Sequence, residues 1–186
     1  MKCKLLLALI LIGSVARSQT SYCPKGDSHL PKMIFADSLK NRAEVPGRYE
    51  LLGFEGMYTH QLGETFPHDG VTIDSAYVLE VQDGGVESCN CHSKINRDTH
   101  IYIVSGKSVT KKSEAVIIEV TPRFRKQFGT TAEIKKKFKG HMVQVSGYFF
   151  EDAEHKMNST VDKGKSLLWR HSLLEVHPVT EIKIQE

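Results

Sequence analysis

The sequence predicts an all-β chain: an OB-fold-like, five-stranded Greek-key barrel with one helix between strands three and four, preceded by an irregular N-terminal arm. Three observations predict it. From residue 71 onward, apolar residues alternate in five short segments bounded by turn-forming residues. One helical segment falls between the third and fourth of them. The longest polar loop joins the fourth to the fifth.

The first eighteen residues read as a signal peptide. Met1-Lys2-Cys3-Lys4 is basic, "LLLALILIG" (Leu5 to Gly13) is apolar, and Ala16-Arg17-Ser18 places small residues for cleavage after Ser18. The apolar run falls short of the roughly 20 residues that span a bilayer. "TSYCPK" around Cys23 lacks the residues that precede a lipid-modified cysteine. The expectation is a soluble protein, secreted or periplasmic, with no membrane span after cleavage.

Residues 19–70 form the expected arm, punctuated by Pro24, Pro31, Pro46 and Pro67. "MIFADSLKNRAE" (Met33 to Glu44) suits a short helix that must lie across the main body, being too short to fold alone. Residues 71–186 form the barrel domain. Its first strand is "VTIDSAYVLEVQ" (Val71 to Gln82), stopped by Asp83-Gly84-Gly85. The second is "THIYIVSG" (Thr99 to Gly106), and the third is "AVIIEVTP" (Ala115 to Pro122), stopped by a proline that cannot join a ladder. In "TTAEIKKKFKG", Thr131 caps a helix over Ala132 to Phe138 and Gly140 ends it. "HMVQVSGYFF" (His141 to Phe150) is the fourth strand, and "WRHSLLEVHPVTEIKI" (Trp169 to Ile184) holds the fifth.

Charge excludes one function class. The chain has 25 Lys+Arg against 22 Asp+Glu. Cleavage removes Lys2, Lys4 and Arg17 and leaves 22 of each. General nucleic-acid binding needs a basic field, which the mature chain would lack. Arg123 to Gly140 is a local basic stretch, with Glu133 as its one acid.

Cleavage also leaves three cysteines, Cys23, Cys89 and Cys91. Export favours a disulfide from Cys23 to Cys89 or Cys91, with one thiol left over. The competing reading takes Cys89, Cys91 and His92 of "CNCH" as a metal site, a weaker match to the usual ligand spacing.

Strand parity sorts the remaining candidates. Ile101 and Ile103, Val116, Ile118 and Val120, and Leu174 and Val176 should line the barrel. His100, Tyr102, Glu119, Trp169, His171, Glu175 and His177 share the opposite, outward parity, expected to be wetted as on an ordinary half-buried strand. Asp98 with His100, and Glu175 with His177, are carboxylate–imidazole pairs that can bind a metal or move a proton. No catalytic motif such as G-x-S-x-G, H-E-x-x-H or a phosphate loop accompanies them.

"KNRAEVP", "NCH", "DTHIYIV", "VIIEVTPRFR", "VSGYFFEDAEH" and "WRHSLLEVHPVTEIKI" occur in order. With them the chain resembles a family of uncharacterised, mostly bacterial, exported OB-like proteins, most specifically in the ending "EVHPVT". The resemblance implies the fold and an exported bacterial setting, and no activity.

The leading expectation is a non-enzymatic domain binding a small ligand, ion or protein through the outer sheet face and the 151–166 loop. His100, Glu119, Arg123, Trp169 and His177 would contact the ligand. One alternative is a metal-dependent hydrolase with Asp98, His100, Glu119 and His177 holding a divalent metal. Another is a structural cell-envelope protein.

Overall fold

The computed structural model describes residues 23, 25–59, 70–152 and 172–186. Six strands, β1 (Tyr49–Leu52), β2 (Gly70–Asp83), β3 (Thr99–Val104), β4 (Val116–Val120), β5 (Met142–Glu151) and β6 (Leu174–Ile184), form one sheet in the order β1-β2-β3-β4-β6-β5. A further β2–β5 pairing closes the last five into a barrel. Among the described residues four helices, α1 (Pro31–Lys40), α2 (Gly56–Thr59), α3 (Arg125–Phe128) and α4 (Thr131–Phe138), decorate it.

The topology is OB-like. β2 to β4 form an antiparallel meander, β4 meets β6 in parallel, and β5 returns antiparallel to both β6 and β2. β2 serves both ends of the sheet. Its first half pairs with β5 and its second with β3, with register shifts at Ile73/Ala76 and Val78/Glu80. Such bulges increase bend and twist, which a 14-residue strand needs to wrap a small barrel.

The interior follows the alternation in the sequence. Ile101, Ile103, Val116, Ile118, Val120, Leu174 and Val176 are buried in one core with Val143 and Val145. Ile134 and Phe138 from α4 join them, which is why an otherwise lysine-rich helix stays on the barrel.

Local differences from the sequence-based expectation have physical causes. The cap of α4 is Thr130, not Thr131. Thr130 and Glu133 have the three-residue spacing of a capping box, and the Glu133 carboxylate accepts from the Thr130 backbone N–H at 2.7 Å. Thr131 instead donates to Asp83 at 2.6 Å. The arm is more regular than expected. α1 begins with Pro31 at its first turn, where a missing N–H costs nothing, and β1 pairs in parallel with the start of β2.

α4 is also tied to β2 by charge. Glu80 receives Lys135 at 2.8 Å and Lys139 at 2.7 Å, and its side chain keeps 25 % exposure. Burial opposes ionisation, but the two lysines outweigh it and hold the Glu80 carboxyl down at about 2. A depressed folded pKa stabilises above the ordinary value of 4.5 and is lost as pH falls toward 2. Glu80→Gln is therefore expected to lower the melting temperature modestly at pH 7 and to flatten the acid limb between those values, so that variant and wild type converge toward pH 2. An unchanged acid limb would refute the assignment.

Candidate metal centre

Neighbouring strands bring the outward residues together. β3 and β4 pair His100 directly with Glu119. β4 and β6 pair Ile117 with Glu175, so two residues further on His177 lies beside Glu119. Glu119 is thus flanked by both imidazoles. His100 Nε2 is 3.1 Å from its Oε1, and His177 Nδ1 is 3.2 Å from its Oε2. Asp98, just before β3, lies 3.6 Å from His177 Nε2, and Glu175 lies 3.6 Å from His177 Nδ1.

This face is not wetted, contrary to the expectation from alternation. His177 and Glu175 are 0 % exposed, Glu119 2 % and His100 9 %. Tyr102 on the same face is buried with Ile117, Val104 and Ala115. The arm and the loop after β2 contribute to this face. Lys40, at the end of α1, donates to Glu87 Oε2 at 2.9 Å. Glu87 turns its other oxygen to His100 Nε2 at 3.7 Å. Asn41 donates to the Cys89 carbonyl at 2.8 Å, and Asn90 donates to Asp98 Oδ2 at 3.1 Å.

The loop reaches inward through an unusual backbone. Cys91 and His92 both have positive φ, 48° and 50°, a conformation that costs non-glycine residues energy. It follows a single 3-10 turn (Ser88–Asn90) and presents Glu87, Cys89 and Asn90 to the cluster. Gly84 makes room: a Cβ there would sit 2.6 Å from His100 Nε2.

The cysteine question resolves in favour of the bridge. Cys23 is bonded to Cys91, and Cys89 is a buried free thiol. A bonded Cys91 is no metal ligand. His92, with 61 % of its side chain exposed, faces Asp27 at 3.0 Å rather than the cluster. The metal reading of "CNCH" therefore reduces to Cys89, which lies near Glu87 and Asp98. Burial, reinforced by Asp98, pushes that thiol far above its ordinary range and keeps it protonated.

Of the other predicted site residues, Asp98, His100, Glu119 and His177 converge. Arg123 lies apart, on a neighbouring cavity. Trp169, His171 and residues 153–166 of the 151–166 loop are outside the described residues. Sequence reasoning missed Glu87 and Lys40 as members. Nothing local marks Glu87, since only the fold of its loop turns it inward. Glu175 was legible through its shared parity with His177.

The electrostatics are those of a crowded, dry ionic site. Four carboxyl groups, on Glu87, Asp98, Glu119 and Glu175, face Lys40, His100 and His177. Burial raises Asp98 to about 7, against the pull of His177 and with the push of Glu119. Burial also penalises charge on the histidines, yet Glu119 outweighs it at both: His100 is raised well above its ordinary value, and His177 to about 8. Burial disfavours the ionised Glu119, but His100 and His177 hold its pKa below the ordinary value.

These contacts are close without being aligned hydrogen bonds. His100 Nε2, both ring nitrogens of His177, Asp98 Oδ1 and Glu119 Oε2 are buried with no hydrogen-bond partner among the described residues. Besides the Glu87, Cys89 and Asp98 group, whose thiol is held protonated, two triads among the described residues have ligand atoms within 4.8 Å of one another: Glu87, His100 and Glu119, and Asp98, Glu119 and His177. In the first, one nitrogen faces two carboxylate oxygens. In the second, the carboxylates Asp98 and Glu119 face different nitrogens of one ring, which cannot both serve one ion.

No protein-family model matches the chain, and no curated protein matches it either.

Proposed function

We propose that the protein is an exported OB-like domain that binds a divalent metal ion on the covered outer face of its barrel, with Glu87, His100 and Glu119 as ligands. The observation that carries this reading is His100 Nε2, buried, without an aligned hydrogen bond, and facing carboxylate oxygens at 3.1 and 3.7 Å. A tetrahedral ion held at about 2.0–2.1 Å spaces its ligand atoms about 3.3–3.4 Å apart. Nitrogen and carboxylate donors suit zinc or manganese. The ion would take the place of the proton that His100 otherwise holds between the two carboxylates. His177, on the other oxygen of Glu119, would orient that ligand as an outer partner, and Lys40 would do the same for Glu87.

Binding without catalysis fits the burial. Three protein ligands leave a fourth position for water, but the side chains of His100 and Glu119 are almost wholly covered, which leaves a substrate little access to the ion. The hydrolase reading, with Asp98, His100, Glu119 and His177 as one ligand set, also asks one His177 ring to face two ways. Export is supported by the disulfide and by the basic–apolar–small pattern of residues 1–18. Among the described residues, no helix is long and apolar enough to cross a membrane.

Elemental analysis of protein purified without a histidine tag tests the proposal. Close to one zinc or manganese per chain is expected. The ion should be lost from a His100→Ala, His177→Ala double variant, and chelation should lower the wild-type melting temperature. Because that variant removes buried groups and could unfold, cobalt(II) added to stripped wild-type protein gives a second readout, a visible absorption band from ligated metal. No bound metal, no cobalt band and a melting temperature indifferent to chelator would refute the site.

A further inference from the structure

The arm, the loop after β2 and the α3–α4 connection enclose a second feature, a cavity of about 380 Å³. That is within the roughly 300–1,000 Å³ range of small-molecule pockets and larger than a bare inorganic anion requires. Three cations line it: Arg123, Arg125 and Lys126. Glu133 is the single carboxylate among the lining residues, and its Oε2 is taken up by the Thr130 backbone N–H at 2.7 Å and hydroxyl at 2.8 Å.

The positive wall is partly pre-built. Arg125 is anchored by a hydrogen bond from Nη2 to the Arg97 carbonyl. Its Nε is buried with no hydrogen-bond partner among the described residues. A buried donor left so is costly, and an anionic acceptor that reached it would relieve that cost. Asn41 and Asn90 also line the cavity, each fixed by a hydrogen bond, to the Cys89 carbonyl and to Asp98. Amides held in place in a cavity that two guanidinium groups also line suit an oxyanion, which guanidinium binds with charge-assisted hydrogen bonds.

We infer that this cavity is a binding site for a small organic anion with a phosphate or dicarboxylate head, held by Arg123, Arg125 and Lys126. The head group sits against the two arginines, and the organic body occupies the remaining volume. The inference goes beyond the metal proposal and does not depend on it, since none of the three cations belongs to the buried cluster.

Calorimetric titration at physiological salt tests it, with phenyl phosphate, phthalate and neutral benzyl alcohol as probes. Phenyl phosphate or phthalate should bind with Kd below about 1 mM, at least about tenfold more tightly than the alcohol. Arg123→Gln and Arg125→Gln should each weaken binding about tenfold or more, the loss expected for one charged hydrogen bond. Lys136→Gln, on the exposed side of α4, should leave affinity unchanged. Binding of one anion and not the other identifies the head group and supports the site. If an arginine variant fails to fold, amide chemical shifts of Asn90, Gly129 and Thr130 in the wild type report the same event. No binding of either anion, equal loss in Lys136→Gln, or shifts elsewhere than these amides would overturn it.

Discussion

In protein stripped of metal, Glu119→Ala lowers the unfolding free energy by about 3–5 kcal/mol, the cost of removing one partner from a buried ionic network. Glu119 is the one group that both imidazoles face, so its loss leaves His100 and His177 with a dry setting and a weaker counter-charge. The pH profile carries the signature. Raised pKa values at His177 (about 8) and Asp98 (about 7) mean that the folded chain holds protons the unfolded chain has released. Stability from His177 is complete below the ordinary 6.5 and lost as pH rises through 8, and that from Asp98 is lost as pH rises from the ordinary 3.8 through 7. Metal-free wild-type protein should therefore weaken between pH 6.5 and 8, and Glu119→Ala should show less of that decline. A bound ion acts oppositely, because it needs neutral imidazole and so binds more tightly as pH rises. Urea denaturation of stripped and metal-loaded samples across this range separates the two. A Glu119→Ala loss below about 1 kcal/mol, with an unaltered profile, would mean that the cluster is not a coupled network.

Removing the Cys23–Cys91 bridge is the second large effect. It closes a span of 68 residues, for which chain entropy alone gives about 4 kcal/mol. A Cys23→Ser, Cys91→Ser double variant avoids exchange with Cys89 and isolates the term. The bridge fixes the start of the arm, and the Lys40–Glu87 and Asn41–Cys89 contacts fix its end. The double variant should therefore show faster hydrogen exchange through α1 while the barrel amides of β3 and β4 stay protected. An equilibrium stability within about 1 kcal/mol of wild type, with α1 still protected, would show that the arm docks without the covalent tie. The prediction also bears on the metal centre, since Glu87 sits in the loop that the bridge anchors.

Alternation in the sequence carried the barrel a long way. Ile101, Ile103, Val116, Ile118 and Val120 lie inside as their spacing required, because a strand offers two faces and the barrel's interior accepts only apolar ones. The same spacing grouped His100, Glu119, Glu175 and His177, since parity is a local property of each strand. Thr130 was missed as the helix cap because two adjacent threonines compete, and the distance to Glu133 decides between them. β1 was missed because four residues within a proline-punctuated arm give too short a pattern to read.

What the sequence determined by itself is therefore the five-stranded closure and the membership of each face. Both follow from side-chain polarity repeated every second residue. What only the tertiary structure decided is the environment of the outer face. Parity says which side a residue takes, not what covers that side. α1, delivered by a distant disulfide, and a loop with two left-handed residues turn an apparently wet stripe into a buried cluster. Burial there removes water as the competing partner, and so converts ordinary strand charges into groups that must find a proton, a counter-ion or a metal.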